Sequence, residues 1–458
     1  MTLITDLARA AAATPIVVVH IGNFDAFLAH TDARTRGWLA ATGFRAKPHA
    51  HALLPDANGG ISQVLVTVRD AGDIYALAHL PLALPPGDYT LATHHDPLDE
   101  YAAALGWGLG SYQFSRYRKS APTPATLVIA AGDGVARAEK TIAASSLIRD
   151  LVNTPTEDMG PQHLAGIAQS LAKEFGGTFR EWVGDELLAN NFPAIHAVGR
   201  ASHRPPRLIE LTWGDEKHPR IAIVGKGVCF DTGGLNIKGA DGMRQMKKDM
   251  GGGAHALGLA RLIMAMRLPV RLQMLVPAVE NSIAGNAYRP GEIVATRKGL
   301  AIEIGNTDAE GRVVLSDALT LAAESKPEMI IDFATLTGAA RVALGPELPA
   351  TFANDDALFD ALNQASAATR DPLWRMPLWQ NYNDMIKSRI GDIVNTGGPQ
   401  AGAVTAALFL EHFVPREQKW IHIDLFAWTP KPSPGRPEGG EAQTLRATFA
   451  MLEKIYAR

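Results

Sequence analysis

The sequence predicts an α/β protein: a small amino-terminal α/β domain, a linker helix, and a larger carboxyl-terminal domain with a mostly parallel sheet flanked by helices. Three observations carry this. The chain has 458 residues, beyond the ~250–300 at which a single hydrophobic core stops growing. From Leu164 onward, short apolar strands alternate with helical stretches, the rhythm of a parallel sheet covered on both faces. Between the two parts runs one long segment of helical spacing with few breakers.

The elements follow in order. Within residues 1–130, Ile16–His20, Gln63–Thr67 and Leu127–Ala131 read as strands, and Thr35–Thr42 and Leu98–Phe114 as helices that contain glycine. No cofactor fingerprint accompanies them. Residues 131–155 form the linker, with a helix over Ala136–Val152. Pro155 stops it, because proline disfavours helical geometry in the residue before it. Residues 156–458 form the larger domain. There Leu164–Glu174 and Ala254–Met266 read as helices, and Arg207–Thr212, Arg220–Val224, Arg271–Pro277 and Met329–Phe333 as strands. Pro430–Gly440, rich in Pro and Gly, reads as a surface loop. No internal repeat breaks the order.

Composition excludes several classes. Hydrophobic residues at 47% and charged residues at 20% are ordinary for a globular chain that buries a large core. One cysteine, Cys229, rules out an intrachain disulfide and fits a reducing compartment. Asp6 and Arg9 interrupt the apolar amino terminus, so it does not read as a signal peptide. No apolar run reaches the ~18 residues of a spanning helix. A cytoplasmic protein is expected, with no membrane partner. A net charge of −3 gives no electrostatic reason to expect nucleic acid.

Two segments stand apart: Val224–Gly253 and Gly305–Arg312. In the first, a strand runs into Gly225-Lys226-Gly227, and Asp231, Lys238 and Asp249 follow among glycines. Charged groups among glycines after a buried strand suit a site where backbone and ligand approach closely. Ligands of such sheets sit beyond the strands' carboxyl ends. A phosphate loop is refused, because Gly227 stands where Ser or Thr must follow the lysine, and Arg220 where the leading glycine belongs.

In the second segment Asp308, Glu310 and Arg312 alternate, and in an extended stretch they point to one side. Carboxylates held together need a neutralising cation. With Asp231 and Asp249 there are four negative charges, which two divalent ions ~3.5–4 Å apart would balance.

Here the chain resembles the leucyl aminopeptidase family of cytosolic di-metal peptidases. Asn306–Arg312 match the family's Asn-Thr-Asp-Ala-Glu-Gly-Arg string in full, and the spacing from Lys226 through Asp231 and Lys238 to Asp249 matches too. Weaker resemblance covers the rest of residues 140–430, and residues 1–130 carry little of it. The resemblance implies hydrolysis of the first peptide bond of peptides and amino acid amides by a metal-activated water, with apolar first residues such as Leu preferred. It implies that Lys226, Asp231, Asp249 and Glu310 hold one ion, and that Asp231 and Glu310 bridge to a second, which Asp308 also binds. A lysine ligand must be neutral, which two adjacent cations favour. Lys238 would polarise the scissile carbonyl, and Arg312 would hold a bicarbonate that helps move a proton. Met246, Thr335 and Gly338 match positions lining the first side chain's pocket. The ions would be Mn²⁺ or Zn²⁺, with Co²⁺ and Mg²⁺ as alternatives, and the assembly a homohexamer made of two trimers. The segment after Asp424 is richer in Pro and Gly than the family pattern, and part of that pocket is usually built there.

Plainer readings stand beside these. Asp231 alone would be an Asx-turn residue, Asp249 a helix cap, and Asp308 with Glu310 and Arg312 a solvated ion pair. Met246 alone would be core packing. Lys247 and Lys248 read as surface charges, Cys229 as a small buried residue, and Asp332, His422 and Asp424 as structural hydrogen-bonding groups. His49, His51, His94 and His95 read as loop or edge residues. A two-metal phosphoesterase also uses four carboxylates, but the lysine ligand and the full string argue against it. Some proteins of this resemblance bind DNA or act structurally. A lost ligand would mark a purely non-catalytic chain, and none is lost here.

Overall fold

The computed structural model describes residues 3–92 and 96–457. It divides into two units: one running to Ser146 and including Lys431–Glu438, the other Leu147–Pro430 with the chain from Gly439 onward.

The first unit is built on a six-stranded sheet in the order Leu3–Ile4, Thr126–Val128, Asp88–Leu91, Thr14–His20, Ile61–Val68, Ala50–Pro55. Only the last pair is antiparallel. Alternate residues Val64, Val66 and Val68 enter one apolar core, and Leu65 enters another on the opposite face. The predicted helix from Leu98 begins instead at Glu100, because Asp99 caps it by accepting from Ala102 N at 2.9 Å. It ends at Gly110, short of Phe114. The long helix spans Asp133–Asn153, from the first unit into the second.

The second unit holds a nine-stranded sheet. Its path is Trp374–Arg375, Ala350–Ala353, Trp420–Asp424, Met329–Ala334, Arg220–Gly225, Arg271–Asn281, Arg207–Trp213, Thr178–Val183, and Gly227–Asp231 pairs with the far end of Arg271–Asn281. The central strands are parallel, and antiparallel pairs stand toward the edges. Ala222, Val224 and Ile330 point into a core shared with helix Glu310–Glu324. Helix Gly251–Ala265 packs closely on the same strands, with Gly252 at the contact. A Cβ there would lie 2.1 Å from Phe333 O. Gly251, Gly252 and Gly253 are therefore helical. The close approach foreseen for a ligand at these glycines is an approach of helix to sheet.

Pro430–Gly440 is not simply a surface loop. Gly439–Gly440 is a buried strand paired with Trp428–Thr429, and Gly440 N donates to Asn153 Oδ1 at 2.8 Å. A paired strand and a side-chain acceptor for its backbone outweigh the turn-like composition. Among the described residues no helix is long and apolar enough to cross a membrane.

Candidate metal centre

The sheet's carboxyl edge places the charged groups. Strand Arg220–Gly225 ends just before Lys226, whose N–H donates to Phe333 O at 2.9 Å on the neighbouring strand. Asp231 closes strand Gly227–Asp231. Asp249 sits in the short 3₁₀ turn Met246–Met250, and Thr335 Oγ1 donates to its Oδ1 at 2.8 Å. Thr335 follows strand Met329–Ala334, so Asp249 is fixed by the strand beside it.

The string Asn306–Arg312 is a turn that clamps two segments. Asp308 N donates to Asn306 Oδ1 at 2.8 Å. Thr307 Oγ1 donates to Gly233 O at 2.6 Å, and Thr307 and Asn236 bond reciprocally. Tyr288 OH donates to Thr307 O at 2.7 Å from beneath. Glu310 is the first residue of helix Glu310–Glu324. The extended arrangement expected for Asp308, Glu310 and Arg312 is therefore overturned: a turn and a helical start, not strand alternation, bring Asp308 and Glu310 together. Gly311 leaves room for this, since a Cβ there would lie 2.8 Å from Lys226 Nζ.

Four carboxylates meet two amines. Lys226 Nζ lies 2.8 Å from both Asp249 Oδ2 and Glu310 Oε1. Lys238 Nζ lies 2.8 Å from Asp231 Oδ2 and also pairs with Asp308. Burial alone would pull the Lys226 amine down, but Asp249, Glu310 and Asp231 together hold it above its ordinary range. Burial, then the Asp231 charge, pushes Glu310 up to about 8. Burial, then Asp249, pushes Asp231 up to about 6.

The residues fit a divalent ion. One oxygen from each of Asp231, Asp308 and Glu310 lies within 4.8 Å of the others. Glu310 Oε2 is buried without a hydrogen-bond partner among the described residues, and Oε1 is paired with the Lys226 amine, which leaves lone pairs for a hard cation. Asn281 Nδ2 steadies Asp231 Oδ1 from behind at 2.8 Å, as supporting groups of metal ligands do.

These shifts set a pH dependence for loading. Glu310, pushed up to about 8, still holds its proton near neutral pH, and Asp231, pushed up to about 6, does so in mild acid, so an ion must displace those protons. Apparent affinity for Mn²⁺ should rise as pH climbs through about 6 and about 8, with protons released by Asp231 and Glu310 and by the Lys226 ammonium, which must become neutral to bind. Titration calorimetry in buffers of different ionisation enthalpy measures that release. Heats independent of buffer would contradict it.

Lys226, Asp231, Lys238, Asp249, Asp308 and Glu310 line one cavity of about 390 Å³, with Met246, Thr335 and Gly338. Arg312 does not line it. Its side chain is buried, and Nη1 donates to Asn395 O at 2.8 Å. Leu425 and Phe426, just after Asp424, contribute to the wall.

Sequence reasoning missed Arg341 and Lys248, which line the same cavity. The reading of Lys248 as a surface charge is overturned: it is 6% exposed, with Nζ 4.6 Å from the Phe426 ring centroid. Lys247, half-buried, donates to Asn153 O at 2.6 Å. No local signal separates the two lysines, because Phe426 and Arg341 lie far along the chain.

Other groups are structural. Asp332 accepts from Trp420 Nε1 at 2.6 Å and meets His422 Nδ1 at 2.6 Å. Cys229 is buried, which pushes its thiol well above its ordinary range. His51 lies on the edge strand Ala50–Pro55, and His49, just before it, meets Asp73 at 3.0 Å. His94 and His95 lie outside the described residues.

Comparison with known proteins agrees across the chain. A family model for the catalytic domain of the cytosol aminopeptidase family matches residues 146–448, and one for the M17 aminopeptidase N-terminal domain matches residues 14–130. The probable cytosol aminopeptidase of Syntrophotalea carbinolica is 42% identical over 378 residues, 78% of this chain and 76% of that protein. The crystal structure of a cytosol aminopeptidase from Coxiella burnetii is 50% identical, with a TM-score of 0.93 over 97% of each chain. The bottromycin maturation enzyme BotP in complex with Mn is 30% identical, with a TM-score of 0.86 over 97% of this chain and 100% of that one.

Proposed function

The chain belongs to the cytosol aminopeptidase family and is a metallo-aminopeptidase, and from that premise we propose that it releases the first residue of peptides and amino acid amides whose amino end is free. The observation that carries this is the convergence of Asp231, Asp249, Asp308 and Glu310 on the paired amines of Lys226 and Lys238 within one cavity. Lys226, Asp231, Asp249 and Glu310 would hold one divalent ion, and Asp231, Asp308 and Glu310 a second, with manganese or zinc the leading candidates and Co²⁺ or Mg²⁺ the alternatives. When bound, the ions supply an acidified water and Lewis acidity toward the substrate's amine and carbonyl.

The chain's own groups do the rest. Burial pulls the Lys238 amine down, but Asp231 and Glu310 hold it above its ordinary range. It stays an ammonium near neutral pH and donates to the scissile carbonyl, where negative charge develops. Lys238→Ala should lower turnover of leucinamide by ~10²–10³-fold, as removal of an oxyanion donor does. Near-normal rates would reject that role. Arg312 Nε is buried without a hydrogen-bond partner among the described residues, a donor suited to hold a bicarbonate behind Glu310. The first side chain would lie against Met246, Thr335 and Gly338, and Leu425 and Phe426 offer apolar surface suited to leucine.

The test is a panel of amino acid amides assayed with Mn²⁺, Zn²⁺, Co²⁺ and Mg²⁺, beside a phosphate ester. Hydrolysis of the ester alone would defeat the proposal. A cytosolic location belongs to it, in keeping with the single buried cysteine. So does a homohexamer of two trimers. Trp374, Trp379, Tyr382 and Ile390 expose apolar surface along one stretch of chain, which favours association. Light scattering should give the hexamer mass, and a single-chain mass at working concentration would overturn it.

A further inference from the structure

We propose that Lys248 reads the end of the first residue's side chain and gives the site a preference for acidic amino-terminal residues, glutamate and aspartate. The inference rests on the aminopeptidase reading above and adds a substrate class to it.

Lys248 is an unusual wall residue. It is 6% exposed and lines the cavity. Among the described residues its Nζ makes no hydrogen bond and no ion pair, and it rests only against the Phe426 ring. Buried ammonium groups are costly without a partner.

The acceptors nearby are committed elsewhere. Asp249 next in the chain accepts from Thr335 through Oδ1, and its Oδ2 faces Lys226 at 2.8 Å. Asp424 accepts from Thr337 Oγ1 at 2.6 Å and from Arg341 Nη2 at 2.8 Å. Arg341 stands over the same Phe426 ring, 5.8 Å from its centroid. Its Nη1 is buried with no hydrogen-bond partner among the described residues. Two cationic donors thus share one aromatic ring and one cavity, and neither has its full set of acceptors.

A carboxylate supplies what both lack. It accepts through two oxygens and carries the compensating charge, which an amide or hydroxyl does not. Met246, Thr335 and Gly338 line the same cavity, so a first side chain lying there brings its end toward this wall. Leucine still fits against Phe426 and Leu425 but leaves Lys248 unpaired.

The test compares kcat/KM of the Mn²⁺-loaded enzyme on the α-amides of glutamate, glutamine and leucine. Glutamate and glutamine share shape, so their ratio isolates charge. The wild type should favour glutamate, and Lys248→Met should lower the glutamate-to-glutamine ratio by ~10–100-fold, the range of a charge-assisted hydrogen bond. Lys248→Glu should shift preference toward lysinamide. If a variant fails to fold, inhibition of the wild type by free glutamate against free glutamine reads the same preference. A wild-type ratio at or below one, or one unmoved in Lys248→Met, overturns the inference while leucinamide hydrolysis leaves the aminopeptidase reading standing. Hydrolysis of no amide overturns both. Amides lack a terminal carboxylate, so Leu-Gly against its amide is the control arm. A preference for Leu-Gly that Lys248→Met abolishes would place the recognised carboxylate at the peptide's other end and also overturn it.

Discussion

N-acetyl-leucinamide should be hydrolysed ~10³-fold more slowly than leucinamide, or worse, because the first residue is placed through its free amine. A neutral amine is a good further donor to a divalent ion held by carboxylates. An acetylated nitrogen is an amide, with its lone pair delocalised into the carbonyl. The acetyl group must also enter a cavity of about 390 Å³ that the carboxylates, both lysines and the first side chain already share. Lys238 would keep its charge but lose the carbonyl it serves. The check is a pair of progress curves at equal substrate, with a metal-depleted control. Comparable rates on the two compounds, with the control silent on both, would mean an amidase or endopeptidase.

Exhaustive removal of divalent ions should abolish turnover, and adding an ion back should restore it. Asp231, Asp249, Asp308 and Glu310 carry charge that the lysines alone balance poorly: Glu310 keeps Oε2 buried without a hydrogen bond and is pushed up to about 8. Asp308→Asn and Glu310→Gln should each lower turnover by at least ~100-fold, the scale on which metal ligands and their supports act. Both changes conserve volume, and neither touches the sheet, so far-ultraviolet circular dichroism should be unchanged. Full activity at an ion content well below one per chain, measured by elemental analysis, would defeat the two-ion assignment.

Much of the site was legible before any fold was known. Asn306–Arg312 and the spacing from Lys226 to Asp249 single out the proposed ligand set, and all five proposed ligands and Lys238 line one cavity. The reason is local. The string and the spacing are runs of neighbouring residues, readable without the turn and helix start that the structure shows to carry them. Strand and helix order was legible for the same reason, since apolar periodicity is a property of neighbouring residues.

What the sequence by itself determined, then, was residue chemistry and element type: an α/β chain and a carboxylate and lysine set. The tertiary structure alone decided partners and burial. It turned Asp308 and Glu310 toward each other through a turn and a helix start, aimed Arg312 at Asn395, and buried Lys248 while leaving Lys247 half-buried. Adjacent lysines have the same local preferences. Which one loses water depends on Phe426 and Arg341, brought in from distant parts of the chain by packing against the sheet, and that placement is a sum of long-range contacts that no short stretch of sequence contains.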